Sequence, residues 1–232
     1  MNAVLRRLLE LFNYKKQSLP DWWQNYVQKI FKCDKKIPID SINFVVFDTE
    51  TTGLNPLTDS LLSLGAVRVL KGRIETQNTF EFHFNDATKK SSESARAIHG
   101  LLNNNGDTSV KAGVIHFLDF IGDAVLVGHH VAFDVAVVNQ VLKKMIGKSL
   151  LNKTIDTAHL AHRMEVLDGA YYLGALDKSL DELCKLNHID MHDRHTAAGD
   201  ALLTSFLFLK LVAKLKKNKI LTLGDLLRLS PF

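Results

Sequence analysis

The spacing of apolar positions along this chain changes at residue 42 and again near residue 91. Between residues 2 and 17, Val4, Leu5, Leu8, Leu9, Leu11 and Phe12 form a helical stripe with Arg and Lys on the other side. Pro20-Asp21 opens a second amphipathic helix through Trp22, Trp23, Tyr26, Val27, Ile30 and Phe31. From Ile42 the pattern becomes that of strands: Ile42–Phe47, Leu61–Leu70 and Ile74–Phe84, the last two joined by a tight turn at Lys71-Gly72. In the third strand Phe80, Phe82 and Phe84 alternate with Glu81 and His83. Helical spacing returns at Ser91–His99 and Ser109–Ile121, followed by a short buried strand at Ala124–Val127. A helix over Val131–Ile146, a strand at Thr154–Thr157 and helices near Ala158–Val166, Ser179–Leu186, Ala197–Lys216 and Thr222–Leu229 complete the pattern. A three-strand meander followed by alternating helices and strands predicts an α/β fold, a mixed five-stranded sheet flanked by helices. Three regions follow: a helical extension over residues 1–40, a body over 41–216 and a short helical tail over 217–232.

Composition narrows the class. With 46% hydrophobic and 23% charged residues, the chain reads as globular, and charges interrupt every apolar run before it reaches membrane-spanning length. Arg6 and Arg7 are not followed by the apolar core of a secretory signal, and Cys33 and Cys184 form no spacing motif. A cytoplasmic protein without a membrane partner is the expectation. Of the 29 basic and 25 acidic residues, eight and four fall within residues 1–40, leaving 21 of each sign for the rest. The basic excess therefore belongs to the extension. Its two amphipathic stretches predict either a structural cap on the body or a docking element for a protein partner.

The candidate chemistry lies at the end of the first strand. Asp48 and Glu50 stand two residues apart in F-V-V-F-D-T-E-T-T-G, so an extended backbone turns both carboxylates to one side. Two like charges so placed call for a proton or a cation between them. A third acid, Asp134, follows the fourth strand in the first turn of the next helix, where the helix dipole favours negative charge. In H-T-A-A-G-D, His195 and Asp200 are five residues apart and would not share one helix face. They converge if His195 precedes the helix and Asp200 stands in its first turns, at the carboxyl edge of the sheet where open α/β sheets bind ligands.

Taken in order, these segments resemble the DEDDh 3′–5′ exonucleases, the DnaQ-like branch of the ribonuclease-H-like superfamily. That branch includes polymerase proofreading subunits, ribonuclease T and oligoribonuclease. Asp48 to Leu54 match the first motif, Asp-x-Glu-Thr-Thr-Gly-Leu; His129, Phe133 and Asp134 match the second; His195 and Asp200 match the third. Ile98-His99-Gly100 matches the Ile-His-Gly before the central helix, and the likeness runs from about Ile42 to Leu211. The family commonly has Asn where this chain has His130.

The resemblance implies a ribonuclease-H-like body holding two divalent cations, Mg²⁺ or Mn²⁺, and hydrolysis of phosphodiesters from a nucleic-acid 3′ end. Hard cations prefer oxygen ligands, and Asp48, Glu50, Asp134 and Asp200 supply them from three segments. By resemblance Asp48 bridges the two ions, Glu50 and Asp200 complete the water-binding site, and Asp134 supports the second ion. His195 is the implied general base, an imidazole ordinarily titrating near about 6.5. Thr51, Thr52, Gly53, Leu54, Ile98, His99, His129 and Phe133 are the implied substrate contacts. Single-stranded DNA is the expected substrate, with a proofreading-type role. The alternatives are an exoribonuclease of the same family and a binding module that has lost catalysis. A separate reading places zinc on His188, His192 and His195.

Overall fold

The computed structural model describes residues 19–30, 34–84, 109–167, 169, 176 and 178–230. The helices expected at residues 2–17 and Ser91–His99 lie outside them, and with them Leu8, Leu9, Ile98 and His99. Five strands, β1 (Asn43–Thr51), β2 (Leu61–Leu70), β3 (Arg73–His83), β4 (Val125–Gly128) and β5 (Thr154–Asp156), form one mixed sheet. Its order is β3-β2-β1-β4-β5, with β1–β2 and β2–β3 antiparallel and β1–β4 and β4–β5 parallel. Among the described residues seven helices flank it: α1 (Asp21–Lys29), α2 (Val110–Ile121), α3 (Ala132–Ile146), α4 (Thr157–Leu167), α5 (Leu180–Leu186), α6 (Ala197–Lys217) and α7 (Leu223–Leu229). This is the expected fold class.

Alternation along β1 sorts the two layers. Phe44 and Val46 face a core closed by α4, α5, α6 and α7, through Leu160, Leu183, Phe208 and Leu226. Val45 and Phe47 face the opposite core, built from α1, α2 and α3 through Trp23, Phe117 and Val138. Both faces of the central strand are thus covered, which is why its apolar run does not alternate with polar residues. The expectation placed the end of β1 at Phe47; the strand instead runs four residues further. Pairing with β2 carries it on, with Asp48 opposite Gly65 and Glu50 opposite Ser63, whereas pairing with β4 stops at Val46–Val127. Beyond Val46 one edge of β1 is therefore released from the sheet, and the two carboxylates stand on that released stretch.

Helix α1 packs on the body through Trp23 and Tyr26, which are buried in the core with α2. The Tyr26 hydroxyl donates to Asn152 Oδ1 at 2.5 Å and accepts from the Leu151 N–H at 2.8 Å. Burial pushes its pKa up to about 12, so it remains a donor at any working pH. At the other end, Ser230 after α7 accepts the Asp156 N–H at 2.8 Å, tying the tail to β5. Among the described residues no helix is long and apolar enough to cross a membrane.

Candidate active site

Side-chain alternation continues past Phe47 and decides where each functional group points. Asp48 and Glu50 follow Val46 toward the layer containing α6, whereas Thr49 follows Phe47 toward α3. The first turn of α6 brings Asp200 to meet the two acids. Ligand oxygens of Asp48, Glu50 and Asp200 all lie within 4.8 Å of one another. That approach depends on a residue the sequence motifs did not mark. A Cβ on Gly65, opposite Asp48, would sit 2.3 Å from the backbone of Ala197 and Ala198. Only a glycine lets the start of α6 rest directly on the sheet. Gly65→Ala is expected to push α6 outward and destabilise the fold by about 1–3 kcal/mol, the usual cost of overpacking, read by urea denaturation.

Asp134, in the first turn of α3, approaches from the other side of β1. Its Oδ1 accepts both the Thr49 N–H at 2.9 Å and the Thr49 hydroxyl at 2.6 Å. It is buried and lies outside the three-acid group, yet its charge is close enough to act on Asp48. Asp134→Ala would leave two buried Thr49 groups without an acceptor, a loss of about 1–3 kcal/mol. Asp134→Asn keeps an acceptor oxygen and is expected to retain most of that stability while losing the charge. Paired urea melts of the two variants check this.

Charge in the group is unbalanced. Burial first, then the neighbouring Asp134, Asp200 and Glu50, push the Asp48 carboxyl up to about 9, and Arg194 only partly offsets them. Glu50 is also raised, by burial and by Asp200, while His195 and Arg194 pull it back down. Asp134 is raised by burial against the lowering effect of its Thr49 hydrogen bonds. Carboxylates held together at this cost, all offering oxygen, have the chemistry of a hard divalent-cation site.

His195 and Arg194 sit in the turn preceding α6. His195 is exposed, with φ +63°, and Asp193 has φ +54°. The turn is held by Thr196, whose hydroxyl donates to the Asp193 carbonyl at 2.8 Å and accepts the Gly199 N–H at 3.1 Å. A Cβ on Gly199 would meet the Asp193 carbonyl oxygen at 2.0 Å, so glycine is required there too. His195 thus precedes the helix and Asp200 stands in its first turn, the arrangement their spacing required. Among the described residues His188, His192 and His195 form no metal-suited group; the one such group is Asp48, Glu50 and Asp200.

The second motif is anchored by a residue the sequence reading missed. Asp156, buried at the end of β5, accepts the N–H groups of His130 at 3.1 Å, Val131 at 3.0 Å and Ala158 at 2.8 Å. His130 has φ +54°, in the left-handed region that non-glycine residues rarely enter but Asn and His enter more readily than most. The exchange of Asn for His at this position is thereby one between two residue types suited to the same backbone. His129 uses both ring nitrogens internally, with Nδ1 3.0 Å from Thr157 Oγ1 and Nε2 3.0 Å from the Lys178 carbonyl oxygen. Burial and the adjacent His130 hold its pKa down to about 4, so the ring is neutral. Thr51 bonds back to the Gly53 carbonyl at 2.6 Å, and Leu54 projects into solvent, 92% exposed, from the loop leaving β1. Phe133 packs, partly buried, against the α1–α3 core.

The exonuclease family (RNase_T) matches residues 45–208, from within β1 to within α6, a span that contains every carboxylate of the site. The chain belongs to the exonuclease family, in its DnaQ-like DEDDh branch. A DNA polymerase III subunit epsilon-like protein of Rhodobacter capsulatus is 34% identical over 196 residues, covering 82% of this exonuclease-family chain and 26% of that protein. The PolC-type DNA polymerase III of Thermotoga maritima is 30% identical over 187 residues, covering 80% of this chain but 13% of the relative. The chain thus spans about a quarter or less of the curated relatives it matches. Among solved structures, cell-death related nuclease 4 superposes with a TM-score of 0.58 at 10% identity over 75% of this chain and 64% of that one. A zinc-bound E. coli exonuclease I–single-stranded DNA complex gives 0.55 at 19% identity over 81% of this chain and 43% of the other. At these identities the structures share the fold with this family member.

Proposed function

We propose that this chain is a metal-dependent 3′→5′ exonuclease that hydrolyses phosphodiester bonds of single-stranded DNA and releases nucleoside 5′-monophosphates. The observation that carries the reading is the convergence of Asp48, Glu50 and Asp200 from two separate segments on one point. The names of the relatives, a DNA polymerase III subunit epsilon-like protein and a PolC-type DNA polymerase III, favour DNA and a proofreading-type role, and the exonuclease I neighbour holds single-stranded DNA. A cytoplasmic location belongs to the same reading.

Asp48, Glu50 and Asp200 would hold one divalent cation, Mg²⁺ or Mn²⁺, and Asp134 would support a second from across β1. The bound cations would supply charge neutralisation at the phosphate and at the leaving 3′ oxygen. His195, exposed beside Glu50, takes the proton from the attacking water. The Thr51–Leu54 loop meets the terminal nucleotide through its hydroxyls, the Gly53 backbone and the solvent-facing Leu54 side chain. His129, held by Thr157 and Lys178, and Phe133, packed against the α1–α3 core, would support the substrate side of the site.

Matched 5′-labelled DNA and RNA oligonucleotides, incubated with Mg²⁺, Mn²⁺ or EDTA, test this. The expected result is a ladder shortening one nucleotide at a time from the 3′ end, with DNA degraded faster and EDTA abolishing it. Release of the 5′ label as the first product, or undiminished digestion in EDTA, would overturn the reading. Faster digestion of RNA would overturn the DNA preference alone.

A further inference from the structure

One cation already stands inside the three-acid group, and the family motifs do not include it. Arg194 pairs its Nη1 with Asp200 Oδ1 and its Nε with Asp181 Oδ1, the latter at 2.5 Å. Its side chain is 21% exposed and that of Asp200 11%. The guanidinium therefore bridges α5 to the start of α6, shielded on its Asp200 side and open on its Asp181 side, where the partner is 42% exposed, and it sits on one of the carboxylates of the candidate metal group. Each carboxylate receives one guanidinium nitrogen, so the contact with Asp200 is a single charged pair.

We infer that Arg194 is an affinity-setting residue, a built-in counter-cation that competes with the divalent ion for Asp200 and keeps that ion exchangeable. The inference rests on the reading that Asp48, Glu50 and Asp200 bind a divalent cation. The place of Asp200 does not depend on Arg194. The helix backbone, the Thr196 cap and the close fit of Gly199 under Asp193 already fix the first turn of α6. Removal of the guanidinium therefore changes the charge around the site more than its geometry. A fixed positive charge one carboxylate away repels an arriving divalent ion, and the shielding of Asp200 limits how far solvent screens it. The competition also runs in reverse. An ion on Asp200 weakens the Arg194 pair and leaves the guanidinium, next to His195, with Asp181 as its remaining partner.

The test is Mn²⁺ binding by the full chain, followed by isothermal titration calorimetry and by the loss of the free-Mn²⁺ electron paramagnetic resonance signal. Arg194→Gln is expected to bind Mn²⁺ at least about tenfold more tightly than the wild type, the size a single nearby charge gives at an intermediate effective dielectric. Without metal, the same variant is expected to melt at a lower temperature, because Asp200 and Asp181 lose their counter-charge. Arg194→Lys retains the charge and is expected to stay within about threefold of the wild-type affinity. Unchanged or weaker Mn²⁺ binding in Arg194→Gln would overturn the inference while leaving the metal site standing. Equal tightening in Arg194→Lys would overturn it as well, because shape rather than charge would then set the affinity. Absence of Mn²⁺ binding by the wild type would overturn both this inference and the reading beneath it.

Discussion

Asp48→Asn is expected to abolish metal-dependent hydrolysis while making the metal-free protein more stable at alkaline pH. The two effects have one cause. Asp48 is surrounded by Asp134, Asp200 and Glu50, and its carboxyl is raised from 3.8 to about 9 in the fold. A carboxyl raised by folding holds its proton more tightly in the native state than in the unfolded chain. Its contribution to stability is therefore fully present below about pH 4 and is lost as pH rises toward about 9. In the metal-free wild type, this carboxyl weakens the fold across the whole neutral range. The neutral amide leaves no charge to bury and none for Asp134, Asp200 and Glu50 to repel, so melting temperatures of the metal-free proteins should diverge in favour of Asp48→Asn between pH 6 and about 9. Added Mn²⁺ should reverse the order, raising the wild-type melting temperature more as pH increases and leaving Asp48→Asn nearly unmoved. A variant that still gains stability from Mn²⁺ would place the ion elsewhere.

Replacement of His195 should separate chemistry from binding. The residue is exposed and packs against no core cluster, so its side chain can change without disturbing the layers beneath. Its backbone has φ +63°, which Asn adopts more readily than Ala, making His195→Asn the cleaner substitution. Loss of a positioned general base typically lowers the rate by about 10²–10⁴-fold. His195→Asn should show a loss of that size in single-turnover hydrolysis, with Mn²⁺ affinity close to wild type because His195 is not one of the three clustered ligands. Full activity across pH 6 to 9 would remove His195 from the role of base.

The contrast between Asp48 and Asp134 shows where the sequence stopped being informative. That Asp48 and Glu50 share a side was legible from their spacing alone, because strand geometry fixes it once the segment is extended. The length of β1 was not legible. Four polar or charged residues, Asp48 to Thr51, continue the strand only because β2 supplies Ser63 and Gly65 as partners, a tertiary pairing that local pattern cannot reveal. The consequence reaches Asp134, since Thr49 is then a strand residue turned toward α3 and its N–H and hydroxyl meet that carboxylate.

Gly65, Gly199, Asp156 and Arg194 carried weak signals of different kinds. A glycine inside a strand of branched apolar residues, as Gly65 is in L-L-S-L-G-A-V, marks a close backbone approach and could have been read that way. Asp156 after Thr154-Ile155 had the look of an ordinary strand-end polar residue, and only the fold brings three N–H groups onto it. Arg194 stood beside a motif histidine, and its pairing with α5 depends on a packing of helices that no spacing encodes. The overall layering was accessible because both apolar periods were clear, whereas contacts between layers were set by where small residues let backbones meet.

Asp48, Glu50 and Asp200 are proposed to form a divalent-cation site. Crystals of the wild-type protein grown with Mn²⁺, measured at a wavelength where manganese scatters anomalously, test it most directly. The expected result is an anomalous peak among the carboxylates of these three residues that is lost in Asp48→Asn. A peak instead on His188, His192 and His195, or none among the three acids at saturating Mn²⁺, would contradict it.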